Sequence, residues 1–146
     1  MIAWGLLVTK PTLPGAPDEL SLYSSEGYYQ KNCRMRRHTL RMDGFVSVHA
    51  DEKGGDMVTR PFVFRGRELV INFSTSAAGS VRVEIQDENG GAIKGLALDD
   101  CPEIYGDEIE RTVRWKQGTT LEEIGGKAVR LRFVMKDADL YSLRFR

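Results

Sequence analysis

A chain of 146 residues, 41% apolar and 29% charged, is long enough for one domain with a genuine core and too short for two complete ones. Its 21 basic and 21 acidic side chains cancel, so no overall positive field draws it to nucleic acid or to an anionic membrane. No apolar run approaches the roughly 18 residues of a membrane span, and Met1-Ile2-Ala3-Trp4 lacks the basic start of a signal peptide, which leaves localisation unknown from the residues.

The first forty-odd residues are interrupted by Pro11, Pro14 and Pro17 and hold three candidate strands, Ile2 to Val8, Glu19 to Tyr23 and Met35 to Met42. A three-strand meander hides only one face by itself. On such strands Ile2, Trp4, Leu6 and Val8 share a side, and Leu20 and Leu22 add to an apolar surface in need of a cover. Exposed edges and faces of this kind pair with a second copy, which predicts a homodimer through the N-terminal segment.

Further along, Phe45 to His49 and Pro61 to Phe64 read as strands, and Leu69-Val70-Ile71-Asn72-Phe73, apolar on both parities at its start, reads as a central one. Period-two alternation is clearest in Ser80 to Gln86, where Val81, Val83 and Ile85 oppose Arg82, Glu84 and Gln86. Asn89-Gly90 then supplies positive φ angles for a tight hairpin, and the long connection from Gly90 to Glu108 suits a Greek-key crossing. Ile109, Arg111, Val113 and Trp115 alternate again, as do Val129, Leu131, Phe133 and Met135, and Leu140 to Phe145 closes the chain. The single helical signal, Thr119 to Ile124 with a Thr N-cap and a Gly125-Gly126 stop, allows one or two turns. The pattern predicts an all-β chain: an antiparallel β-sandwich of jelly-roll or Greek-key type over residues 43–146, preceded by a short β-meander over 1–42. Val81, Val83, Ile85, Val113, Leu131 and Phe133 should share its core.

A family likeness rests on Thr39-Leu40-Arg41-Met42-Asp43-Gly44-Phe45-Val46-Ser47-Val48, Thr59-Arg60-Pro61 and Thr75-Ser76-Ala77-Ala78-Gly79-Ser80-Val81-Arg82-Val83-Glu84. It continues through Asp100-Cys101, Gly106-Asp107-Glu108, Val113-Arg114-Trp115-Lys116, Gly126 to Phe133 and Asp137 to Tyr141. With these motifs the chain resembles the C-terminal β-sandwich module that follows five-bladed β-propellers in bacterial proteins similar to glycoside hydrolase families 32 and 43. The resemblance implies that Asp18 to Tyr23 and Arg34 to Met42 are remnants of a last propeller blade. It implies a secreted or periplasmic location, and as partners the propeller domain of a parent chain and a polysaccharide or oligosaccharide. The blades that would carry catalytic carboxylates are absent, so the expectation is an accessory carbohydrate-binding module that is not itself an enzyme. The alternative is a purely structural module that buttresses the propeller without binding sugar. The Asp-Arg-Ser type pattern that many family 32 sandwiches carry near their end is missing.

Sugar-binding modules offer exposed aromatic rings to the apolar C–H face of a pyranose and polar groups to its hydroxylated rim. The candidates are Tyr28, Tyr29, Tyr105, Tyr141 and Trp115. Tyr105 leads, set in the long loop between Pro102 and Gly106, whereas the parity of Trp115 with Ile109 and Val113 turns it inward. No cofactor is expected beyond a structural calcium on Asp99, Asp100 and Asp107, because hard cations take loop carboxylates. The acid pairs Asp99-Asp100, Asp107-Glu108 and Glu122-Glu123 otherwise read as solvated turn residues. His38 and His49 with Ser47 or Cys33 form no local nucleophile motif. The run Arg34-Met35-Arg36-Arg37-His38 splits between two strand faces and should pair with nearby acids. Cys33 and Cys101 lack the closely spaced companions of a zinc site; one disulfide between them is open in an oxidising compartment, and the default reading is two buried free thiols.

Overall fold

A computed structural model describes residues 4–116, 118 and 120–146. The chain is all-β: strands account for 52%, and the helical structure described is two short 3-10 turns, Leu98–Asp100 and Leu121–Ile124. It divides into two compact units, Met1–Val46 and Ser47–Arg146.

The first unit is an antiparallel meander of β1 (Leu7–Thr9), β2 (Glu19–Glu26) and β3 (Arg34–Arg41). β1 is shorter than the alternation suggested, because the chain bends at Trp4-Gly5 before Leu7 and Gly5 has φ 95°. Ile2 lies outside the described residues. One face is polar: Arg37 donates from Nε to Ser21 Oγ (2.8 Å) and from Nη2 to Thr9 Oγ1 (2.7 Å), which closes over a fully buried Ser21. Arg37 also pairs with Glu19, and Arg34 and Arg36 both reach Glu26, so the basic run is largely neutralised by the acids of β2. On the opposite face Val8, Leu20 and Leu40 stand in one cross-strand row.

In the second unit two long strands form the spine, β7 (Leu69–Asp87) and β9 (Ala128–Phe145). The runs expected as separate strands at 69–73 and 80–86, and at 129–135 and 140–145, are joined within them. β8 (Asp107–Thr112) extends the sheet beyond β7, while β4 (Val48–Ala50), β5 (Gly55–Val58) and β6 (Phe62–Val63) line up along β9. β5 is an addition to the sequence reading, hidden by a Gly54-Gly55-Asp56 start that resembles a turn. Between β5 and β6 the ladder is kept by Thr59, whose N–H donates to Leu131 O (2.9 Å) while its Oγ1 accepts from Leu131 N (3.0 Å). Pro61, with no N–H to offer, follows two residues on.

Bulges interrupt the pairing of both long strands within this six-stranded sheet. Along β9 the core takes Val129, Leu131, Phe133 and Met135, then Ala138 and Leu140, with Leu143 and Phe145 packed against it. The odd–even switch falls at Asp137, which has φ 41°, and the switch back falls at Tyr141, left over where Asn72 pairs Ser142 and Phe73 pairs Leu140. Across from Asp137, residues 76–79 of β7 bulge between the Thr75–Ala138 and Ser80–Lys136 pairs. A Cβ on Gly79 would lie 2.3 Å from the Asp137 carbonyl oxygen, so this approach requires glycine. Leu69, Ile71 and Phe73 before the bulge, and Val81, Val83 and Ile85 after it, join one cluster with Val113, Leu131 and Phe133, as the alternation predicts.

Where β8 has ended, the outer edge of β7 is covered by loop and side-chain atoms. Val81 exchanges two backbone bonds with Ile104 (2.8 and 2.9 Å), and Ile85 donates to Leu96 O and accepts from Ile93 N. Between them, Val83 N–H donates to Cys101 Sγ (3.3 Å) and Val83 O accepts from Trp115 Nε1 (3.0 Å). Every backbone group at this edge thereby finds a partner without a strand beside it. The buried Glu84 carboxylate adds a tether, accepting from Leu98 N (3.0 Å) and from Gln86 Nε2 (2.7 Å). The turn before this connection differs from the expected one: Gly90 alone has positive φ, and Asp87 Oδ1 accepts from the N–H groups of both Asn89 and Gly91. The expected helical segment is the 3-10 turn Leu121–Ile124; Thr120 makes no side-chain cap, and Thr119 lies outside the described residues.

Candidate functional site

The connection 88–106 runs along the outer edge of β7 and presents Tyr105. Its neighbours are fixed on both sides: Ile104 pairs with Val81, while Gly106 N–H donates to Thr75 Oγ1 (3.0 Å) and Gly106 O accepts from Thr75 N (2.8 Å). Gly106 has φ 119°, a conformation that favours glycine. Two short spans of ladder therefore hold the residue between them, and its ring stands 71% exposed. Ordering such a ring on binding costs little, since its backbone is already fixed.

Shallow grooves lie on either side of this segment. One, of about 390 Å³, runs between Pro102, Glu103 and Ile104 and the β8 side chains Glu108, Glu110 and Arg111, reaching Arg114. Its charges are partly paired, Arg111 Nη1 donating to Glu108 Oε1 at 2.9 Å and Arg144 pairing with Glu110. The other, of about 490 Å³, crosses the solvent face of β5, β9 and β7 and is lined by Lys53, Asp56, Arg82, Glu103, Arg132 and Lys136 around Val134 and Ser80. Glu103, two residues before Tyr105, lines both grooves.

The other proposed sugar-binding residues are not gathered here. Trp115 is only 6% exposed, with its N–H committed to Val83 O, so it has no face to offer and is a core residue. Tyr141 is half-buried within β9 as the bulge residue, with its hydroxyl 3.3 Å from Ser74 Oγ. Tyr28 and Tyr29 belong to the first unit, where they meet edge to face at 5.1 Å and are exposed.

The acids expected to hold a structural calcium lie in two different elements. Asp99 and Asp100 sit in the 3-10 turn Leu98–Asp100 and Asp107 opens β8, and among the described residues no three acidic, histidine or cysteine side chains group to hold a metal ion. The two thiols also differ from the expected pair: both are free, but Cys33 is exposed and only Cys101 is buried. Burial pushes the Cys101 thiol up, partly offset by the Val83 N–H it accepts and by Arg82 and Lys116 nearby.

Ser47, His49 and Asp139 do come together, a proximity that the sequence did not reveal. Ser47 Oγ donates to Asp139 Oδ1 at 2.7 Å, and His49 Nδ1 lies 3.1 Å from the same oxygen. The carboxylate stands between hydroxyl and imidazole, whereas a nucleophilic triad needs the imidazole in the middle to take the hydroxyl proton. His38 is engaged with Ser24 Oγ at 2.7 Å.

The groove residues Lys53, Arg82, Lys136 and Glu103 were not legible as a group, because they come from four separate segments and only strand parity could have joined them. Compared with known proteins, the chain matches no family model, no curated protein and no solved structure.

Proposed function

We propose that this chain is a non-catalytic β-sandwich module that binds carbohydrate, serving as an accessory to a glycoside-hydrolase-like bacterial protein. The observation that carries the reading is the exposed Tyr105 ring on a segment bonded to β7 at both ends, with grooves rich in charged and hydroxyl groups on each flank. A pyranose face stacks on such a ring while its rim hydroxyls exchange hydrogen bonds with Glu103, Arg111 and Ser80. The family resemblance supplies the class of ligand.

A purely supporting module is the second reading, favoured by the outward apolar side chains of Val58 and Val63 on β5 and β6, a surface suited to a neighbouring domain. Affinity electrophoresis across plant and marine polysaccharides separates the two. Glycan retardation that Tyr105→Ala weakens about tenfold, with the melting temperature unchanged, supports the binding module. Absence of retardation by every glycan supports the structural one, and equal binding by the variant removes Tyr105 from the site.

A further inference from the structure

We infer that the groove across β5, β9 and β7 receives the carboxylate or sulfate groups of an acidic glycan, an assignment that rests on the Tyr105 binding reading and narrows it. The core parity of Val81, Val83, Phe133 and Met135 sends Ser80, Arg82, Val134 and Lys136 to the solvent face of the same two strands. Ser80 pairs with Lys136 and Arg82 with Val134, so Arg82 and Lys136 are diagonal neighbours, about 7–8 Å apart at the backbone. Lys53, at the entrance to β5, completes the cationic side.

Several other cations of the protein are already engaged by carboxylates. Arg34, Arg36, Arg37, Arg111, Arg144 and Arg146 all pair with carboxylates, and Arg132 in the groove pairs with Asp56 at 3.1 Å. Lys53, Arg82 and Lys136 make no side-chain hydrogen bond or ion pair with another described residue. Two clustered like charges on adjacent strands repel each other, an arrangement that an anion between them relieves. The groove carries four cationic side chains against Asp56 and Glu103, although the chain as a whole is neutral. Its floor at Val134 and its rim at Ser80 suit a sugar ring with hydroxyls better than a bare ion. Because Glu103 also lines the groove on the far side of the 102–104 segment, one oligosaccharide can span from the cations to Tyr105.

The test compares polygalacturonate, dextran sulfate, neutral xylan and duplex DNA as ligands of the full chain, in affinity gels and by calorimetry at low and physiological salt. The expected result is a preference of tenfold or more for an acidic glycan over xylan, carried by polygalacturonate if carboxylate is recognised and by dextran sulfate if sulfate is. In R82Q/K136Q that preference disappears, because each lost charge-assisted contact weakens binding about tenfold. The charge-conserving R82K/K136R keeps it, and unchanged melting temperatures in both variants exclude a folding effect. Tyr105→Ala weakens acidic and neutral glycans alike. Glycan binding that is blind to charge, or unchanged in R82Q/K136Q, overturns the inference and leaves the binding module standing. Duplex DNA held as tightly as the acidic glycans overturns it too, by reducing the groove to general charge attraction. Retention of no glycan at all removes the binding reading and this inference together.

Discussion

Replacing Trp115 by Phe should weaken the second unit through one backbone carbonyl. The indole N–H is the donor to Val83 O at 3.0 Å, in a position where β7 has no strand beside it to provide another. Phenylalanine keeps an aromatic ring in the core, where Trp115 is 6% exposed, but leaves that oxygen buried without a partner. Such an orphaned acceptor costs about 1–3 kcal/mol. The space left by the smaller ring adds on the order of 1 kcal/mol, for a total of about 2–4 kcal/mol. In a unit of roughly 100 residues each kcal/mol moves the melting temperature by about 4–8 °C, so a fall of at least about 8 °C is expected. Urea denaturation followed by far-UV circular dichroism gives the free energy, and an unchanged m-value would confirm that the denatured state is not altered. A loss below about 0.5 kcal/mol would refute the argument, because it would mean that the Val83 carbonyl does not depend on the indole.

Four further outcomes follow from the structure. Gly79→Ala places a methyl group 2.3 Å from the Asp137 carbonyl and should destabilise by about 3 kcal/mol or more, whereas Ala78→Gly, on an exposed neighbour in the same bulge, should cost less than about 1 kcal/mol; thermal melts of both decide it. A thiol reagent should modify the exposed Cys33 promptly and Cys101 only on unfolding. Because the folded chain holds the Cys101 proton that the unfolded chain releases, stability should fall as pH rises past the ordinary thiol value, a fall that Cys101→Ala removes and pH-dependent urea melts would detect. Finally, the exposed Trp4, Leu7, Val8 and Leu13 favour self-association through the first unit, so the full chain should sediment as a dimer and a chain starting at Asp43 as a monomer; equal behaviour of the two would count against it.

Strands with one wet face were legible because period-two alternation survives locally, in Val81-Val83-Ile85 and in Val129 to Met135 alike. The same parity turned Trp115 inward correctly, even though β8 stops at Thr112 and Trp115 lies beyond it. What the alternation could not show was continuity: Ala77-Ala78-Gly79 and Asp137 fall in the gaps between the expected strands, yet each sits inside one long strand as a bulge. At the candidate site, the flanking Pro102 and Gly106 indicated the exposure of Tyr105, a local property. The approach of Lys53, Arg82 and Lys136 is not local, since it depends on β5 and β7 both pairing with β9. The placement of the acids was hidden for a related reason: acids close in sequence need not converge in space, and Asp107 belongs to a different element from Asp99 and Asp100.

The bulges at Asp137 and Tyr141 act on β9 like two insertions that shift its phase and then restore it. Each adds one residue that the inside–outside rhythm does not count, so Ala138 and Leu140 fall inward on even numbers while Leu131, Phe133, Leu143 and Phe145 do so on odd ones. These are therefore the places in β9 where the chain can be shortened by one residue without turning every later side chain over. In a single-residue deletion scan from Val129 to Leu143, soluble folded protein should survive best at Asp137 and Tyr141 and be lost between Leu131 and Met135. Uniform tolerance along the strand would mean that the phase of β9 is set by its partners and not by its own two extra residues.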